Sequence, residues 1–298
     1  MKVLVTGATG FVGKKLVSQL INRGHEVSIL TRDTEIASKR LPMDCKFQKW
    51  EPELYPPSSQ VFDGVNAVIH LAGENIADGR WSKSRKNKIK DSRVLSTRNL
   101  VSTLKSIKNP PDTFISASAV GFYGKDRPVE LYEDLGPGKD FLAGVCKEWE
   151  HEAFAARGHN IRTIALRIGI VLGYEGGAIK KMLPPFWAGV GGTLGDGNQW
   201  MSWIHIKDLV GMIIHSLENK TMQGAYNATS PDPVTNIAFT KCLAKVLRRP
   251  AILPVPKLAL KIIFNANLGT GRIAGRLKTF ARHFVNSLFV TGSGLVAL

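Results

Sequence analysis

The chain has 298 residues, 44% of them hydrophobic, and carries a formal charge of +16. That length can bury a large core, and no run of eighteen apolar residues or basic-apolar leader opens the chain, so the expectation is a cytoplasmic protein with no membrane segment. Cys45, Cys146 and Cys242 are too few and too scattered for a disulfide framework or a cysteine-built metal site, and no metal is expected.

Short β-branched runs alternate with longer amphipathic stretches, the rhythm of a parallel sheet covered by helices on both faces. The expected strands are Lys2–Thr6, Glu26–Thr31, Ala67–Leu71, Thr113–Ser118 and Arg162–Arg167, with a weaker candidate at Cys45–Trp50. Leu16, Val17, Leu20 and Ile21 recur at helical spacing after the first strand, and Gly24 stands where a left-handed cap ends that helix. A long helix holding Ile89, Leu95, Leu100, Leu104 and Ile107 must stop before Pro110, and another runs from about Lys139 to Arg157. Beyond Gly173 the texture turns Gly- and Pro-rich, which reads as binding loops. A helix at Asp208–Leu217, a strand at Ala225–Ala228 and a further helix at Thr235–Leu247 follow. The fold class is therefore α/β, a Rossmann doubly wound parallel sheet. The Rossmann domain spans 1–173 and is completed by about 204–229, while 174–203 and 230–298 form a small C-terminal substrate lobe.

The run Thr6-Gly7-Ala8-Thr9-Gly10-Phe11-Val12-Gly13 places strand, glycine turn and helix start in succession. A helix N-terminus offers unpaired N–H groups and partial positive charge, so a diphosphate can sit there if no side chain intervenes. Gly7 permits the turn, Gly10 the approach of phosphate, and Gly13 close helix–strand packing, which points to a bound dinucleotide. The second strand ends Leu30-Thr31-Arg32, and a guanidinium there suits the 2′-phosphate of NADP(H). Asp33 is the competing reading, since one step of register would put its carboxylate on an NAD ribose. After the fourth strand, Leu71-Ala72-Gly73 can pass beneath the cofactor, and His70 reads as a satisfied core histidine.

These motifs resemble the extended short-chain dehydrogenase/reductase superfamily. Leu71-Ala-Gly-Glu-Asn-Ile76, Gly79-Arg-Trp81, Ser118-Ala-Val-Gly-Phe-Tyr-Gly124, Arg167-x-Gly-x-Val-Leu-Gly173 and Trp203-Ile-His-Ile-x-Asp208 are similar to its "epimerase family" branch. The resemblance runs from Met1 to about Phe264 and implies a sheet of about seven strands. It implies NADP(H) held by Thr6, Gly7, Gly10, Phe11, Val12, Gly13, Thr31, Arg32, Leu71, Ala72, Gly73 and Arg93, although Arg93 reads equally well as a solvated helix charge.

The superfamily's chemistry uses a Ser to hold the substrate oxygen, a Tyr as acid/base and a Lys four residues later. Ser118 matches the Ser position, and a strand-end hydroxyl bonded to its own backbone is the plainer reading. Lys147 matches the Lys, but Ala143 stands where the Tyr belongs. Lys147 then either binds nicotinamide ribose or is a surface charge, and Tyr123 is either a substitute acid or a packed aromatic. Trp200, Trp203 and His205 line the substrate cleft or form the seam between lobes. Two function classes stay open: an NADP-dependent oxidoreductase or epimerase on a small polar or nucleotide-linked substrate, and a catalytically silent NADP(H) sensor or regulatory binding protein.

The charge is uneven. Between Pro233 and Leu298 there are ten Lys and Arg and no Asp or Glu, and a second basic stretch runs from Arg80 to Arg98. No nucleic-acid-binding motif accompanies either, so specific nucleic-acid binding and membrane binding are not expected. The acid-free tail beyond about 265 is atypical for the branch, and a homodimer through helices at one sheet edge is possible.

Overall fold

In the computed structural model the described residues are 1–124, 130–251 and the two-residue strand at 278–279. In chain order the elements begin β1 (Lys2–Thr6), α1 (Phe11–Asn22), β2 (Glu26–Thr31), α2 (Thr34–Arg40), β3 (Lys46–Lys49), β4 (Ala67–His70), α3 (Lys83–Ser106) and β5 (Thr113–Ala119). They continue β6 (Glu130–Leu131), α4 (Phe141–Phe154), β7 (Arg162–Ile168), β8 (Ile170–Gly173), α5 (Gly177–Trp187), β9 (Trp200–Met201) and β10 (Trp203–His205). The last are α6 (Ile206–Glu218), β11 (Gly224–Ala228), β12 (Val234–Thr235), α7 (Asn236–Leu247) and β13 (Lys278–Thr279).

Seven strands form one sheet in the order β11-β7-β5-β4-β1-β2-β3, every pair parallel. Alternation along the central strands feeds two cores. Val3, Val5, Ile29, Ile69 and Ile115 face α1 and α6, whereas Leu4, Leu30, Val68 and Phe114 face α3 and α4. Both faces being covered explains why β1 and β4 read as nearly continuous apolar runs. The chain leaves β1 in one direction along the sheet and resumes at β4 on its other side. That reversal opens a crevice at the carboxyl ends of β1 and β4, where open α/β sheets bind ligands.

The helix ends follow their local chemistry. Gly24 (φ +77°) closes α1 as the spacing requires, with His25 N–H donating to the Leu20 carbonyl at 3.1 Å. Ser82 caps α3, and Asp140 caps α4. The Arg162 guanidinium binds the end of α6, donating to the carbonyls of Ser216, Leu217, Asn219 and Met222.

One stretch departs from expectation. The Gly- and Pro-rich segment after Gly173 contains a helix, α5, despite Pro184 and Pro185 within it. Ile179, Leu183 and Phe186 recur at helical spacing and bury against Leu172, Leu243 and Ala244 in a separate core. Each proline gives up a helical hydrogen bond, and burying two or three large side chains at about 1.5–3 kcal/mol apiece offsets that loss. The tail beyond about 265 lies, apart from the β13 backbone, outside the described residues. Among the described residues no helix is long and apolar enough to cross a membrane.

Candidate cofactor cleft and the catalytic positions beside it

The glycine turn is built as the dinucleotide reading requires. Gly7 sits at φ +70°, and a β-carbon there would fall 2.6 Å from the Leu71 carbonyl carbon. A β-carbon on Gly13 would lie 2.3 Å from the Gly7 carbonyl oxygen, so α1 can approach β1 only with glycine at that position. Gly10 begins α1 with no side chain capping its first amides, which leaves the positive end of the helix free for an anion.

A cleft opens from this turn. Thr6, Gly7 and Gly10 meet Leu71, Ala72 and Gly73 on one side and Thr31 and Arg32 on the other. Trp50, Pro52, Glu53, Glu74 and Ser92 line it as well. These five were not anticipated; Trp50 could have been, because β3 lies beside β2 and its end must flank Arg32. Arg32 is exposed at the cleft, and among the described residues it makes no ion pair. Asp33 is turned away, its Oδ1 accepting the Ile36 N–H at 2.8 Å as the cap of α2. Arg32 lines the cleft, and Asp33 is not among the residues that line it.

Phe11 and Val12 begin α1, but the Phe11 ring points away from the cleft into a socket of glycines. β-Carbons on Gly173, Gly176 and Gly177 would lie 2.8, 2.6 and 2.9 Å from that ring. Arg93 is neither a solvated charge nor a free cation. Its Nη2 donates to the Glu74 carbonyl at 2.9 Å, its Nη1 to the Ile89 carbonyl at 3.0 Å, and its guanidinium lies 5.3 Å from the Trp149 ring centroid. It props the Gly73–Glu74 loop from below, and burial lowers its pKa. His70 is a core histidine, as expected. It is fully buried between the hydroxyls of Thr6 (2.7 Å) and Thr97 (3.0 Å), and burial depresses its pKa to about 3.

Of the three side chains expected to do chemistry, Ser118 and Tyr123 meet in one buried network and Lys147 stands apart. Ser118 is 3% exposed and donates to Glu150 Oε1 at 2.6 Å. Glu150 also receives one edge of the Arg167 guanidinium, Nε on Oε1 and Nη2 on Oε2 at 2.9 Å each, in a pair whose side chains are 5% and 6% exposed. Arg167 Nη1 donates to the Tyr123 hydroxyl at 2.8 Å, and that hydroxyl donates to Asn227 Oδ1 at 2.7 Å. Tyr123 is 0% exposed, and burial pushes its pKa up to about 12. Its aromatic ring is packed, and its proton is committed. Lys147 projects from the exposed face of α4. Ala143, Cys146, Glu150 and Ala153 occupy the buried face, so one residue of helical register, about 100°, separates Lys147 from the position expected of it. The Cys146 thiol, pushed up to about 12 by burial, lies where the register would have put that lysine; a β-carbon on Gly121 would be 3.8 Å from its sulfur. The 3-4-3 spacing of that face was present in the sequence and would have singled out Glu150.

Trp203 packs on the α5–α7 core and donates its Nε1 to the Asp232 carbonyl at 3.0 Å. His205 caps α6, its Nδ1 accepting the Lys207 N–H at 3.3 Å, and Trp200 lies in β9 opposite Thr235 of β12. Three cations of the basic stretch are paired: Lys90 meets Glu148, Arg98 meets Glu152, and Arg85 meets Glu74.

Residues 3–229 match the pattern of the NAD dependent epimerase/dehydratase family. The chain is 39% identical over 274 residues to an Arabidopsis thaliana protein named "Epimerase family protein SDR39U1 homolog, chloroplastic", covering 89% of this chain and 76% of that one. It is 37% identical to the Bacillus subtilis epimerase family protein YfhF, covering 87% and 84%. Among solved structures, the human epimerase family protein SDR39U1 with NADPH superposes with a TM-score of 0.85 at 30% identity, covering 100% of this chain and 97% of that chain. A Bacillus cereus UDP-glucuronic acid 4-epimerase superposes at 0.75 with 21% identity, over 94% and 90%, a likeness of fold alone.

Proposed function

The chain belongs to the NAD dependent epimerase/dehydratase family, and from that membership we propose that it binds NADP(H) across the β1–β4 crevice. The diphosphate rests on the amides that open α1, and Arg32 holds the 2′-phosphate. The observation that carries this is that an exposed Arg32 lines the cleft beside the glycine turn, whereas Asp33 caps α2 and does not line it. The NADPH in the human relative's crystal structure agrees with it. A charge-assisted bond to phosphate is worth about 1.5–3 kcal/mol, so Arg32→Ala weakens NADPH binding roughly 10- to 150-fold and leaves NADH nearly unchanged. Fluorescence titration of both cofactors measures this; tighter binding of NADH than NADPH to the unaltered protein overturns it.

The same geometry favours a binding or sensing role over the family's usual chemistry. Ser118 and Tyr123 spend their hydroxyls inside a buried network, and Lys147 stands outside. None offers a proton to a substrate carbonyl. The second reading, an oxidoreductase or epimerase on a small polar or nucleotide-linked substrate, is supported by the separate core in which Leu172, Ile179, Leu183 and Phe186 pack on Leu243 and Ala244. NADPH consumption across carbonyl compounds and sugar nucleotides separates the two. Turnover that disappears in Ser118→Ala favours the enzyme, and cofactor binding without turnover favours the sensor.

A further inference from the structure

The segment Glu74–Ser82, between β4 and α3, joins parts of the molecule that are otherwise far apart in sequence. Its root is fixed to the Rossmann sheet. Glu74 N–H donates to Ser92 Oγ at 3.0 Å, its carbonyl accepts from Arg93, and its carboxylate pairs with Arg85, which also donates to the Asn75 carbonyl. Its far end is fixed as well, with Trp81 Nε1 donating to the Ile76 carbonyl and the indole edge meeting Phe141 at the start of α4. The middle, Ala77–Gly79, is exposed and reaches α5, where Lys181 Nζ donates to the Ala77 carbonyl at 3.0 Å and pairs with Asp78.

α5 is itself anchored at the glycine turn, because Phe11, the first residue of α1, fills the socket of Gly173, Gly176 and Gly177. The contacts therefore close a ring. Gly7 abuts Leu71; the chain runs on through Gly73 and Glu74, both in the cleft wall, to Asp78; Lys181 carries the ring to α5; and Phe11 returns it to Gly7. Every joint is covalent or tightly packed except one. Lys181 and Asp78 are 38% and 54% exposed.

We propose that this ring encircles the diphosphate of the bound dinucleotide and that the Lys181–Asp78 contact is the joint that opens to admit and release it. The inference rests on the NADP(H) reading above. Lys181 is then a positioning residue: it touches no cofactor atom in this scheme and acts by holding the Glu74–Ser82 strap across the mouth of the cleft. An exposed ion pair contributes modestly and is screened by salt, which suits a joint that must break in each cycle of exchange.

Stopped-flow displacement of NADPH by excess NADP⁺ tests it on the full chain. Lys181→Met and Asp78→Asn each raise the dissociation rate about two- to fivefold. Raising salt accelerates release more steeply in the unaltered protein than in either variant, because only the unaltered protein has the pair to screen. The exchange Lys181→Glu with Asp78→Lys brings the rate back toward its original value. Equal dissociation rates and equal salt slopes in all four proteins refute the gate while leaving the cofactor site standing. Absence of any NADPH binding to the unaltered protein refutes the cofactor reading itself, and the gate with it.

Discussion

Replacing both members of the buried Glu150–Arg167 pair should cost less stability than replacing either one. Glu150 accepts three hydrogen bonds, one from Ser118 and two from Arg167, and both charged side chains are nearly inaccessible to water. Burial works against the Arg167 charge, yet its pKa is raised because the bonds and charge of Glu150 outweigh that effect. Glu150→Leu leaves the guanidinium with the Tyr123 hydroxyl, the Glu133 carbonyl and the Phe122 ring, 3.6 Å from its centroid, but with no counter-ion, a loss of about 3–5 kcal/mol. Arg167→Met leaves a buried carboxylate holding Ser118 alone, at a similar cost. The double variant buries two apolar side chains of comparable volume and strands no charge. It loses about 1–2 kcal/mol, most of it from the Ser118 and Tyr123 hydroxyls that lose a partner. Urea unfolding followed by tryptophan fluorescence gives the three midpoints. If the double variant loses as much as the two single losses added together, the pair does not act as a unit and the account of the network fails.

Two further outcomes are expected. Gly13→Ala forces a methyl to 2.3 Å from the Gly7 carbonyl, so NADPH binding is lost in titration even if the protein stays folded; an unchanged dissociation constant contradicts the turn geometry. His70 is neutral when folded down to about pH 3, whereas the unfolded histidine gains a proton below about 6.5. The unfolded state then binds more protons, and stability present above pH 6.5 falls as pH drops, by about 1.4 kcal/mol per unit well below 6.5. The His70→Gln variant should show a shallower loss between pH 6 and 4.5 in denaturant titrations, and an identical slope would rule the linkage out.

The sheet was legible because its strands are buried on both faces and each is bounded by a turn. Val3-Leu4-Val5 and Ala67-Val68-Ile69 could be placed to within a residue. The glycine turn was legible for a different reason, since Gly7 and Gly13 each meet a steric demand that no other residue satisfies. α5 was not, because local propensity reads Pro184 and Pro185 as breakers, and the compensating burial against α7 is a long-range event. Register along α4 decides which residues of that helix face inward. Matching Lys147 to a motif by spacing alone ignores which face of α4 is apolar, and that face puts Cys146 and Glu150 inward. Where Ser118 sends its proton could not be read at all, since Glu150 lies 32 residues away and meets it only after β5, α4 and β7 have packed.

The glycine socket around Phe11 bears on any attempt to recombine this molecule with a relative. Gly173, Gly176 and Gly177 have no room for a side chain while an aromatic ring fills the space above them. A chimera that imports the β8–α5 turn from one parent and the nucleotide loop from another must carry both halves of this fitting together. Otherwise the crossover point, remote in the chain from the loop it disturbs, tilts the helix on which the diphosphate depends.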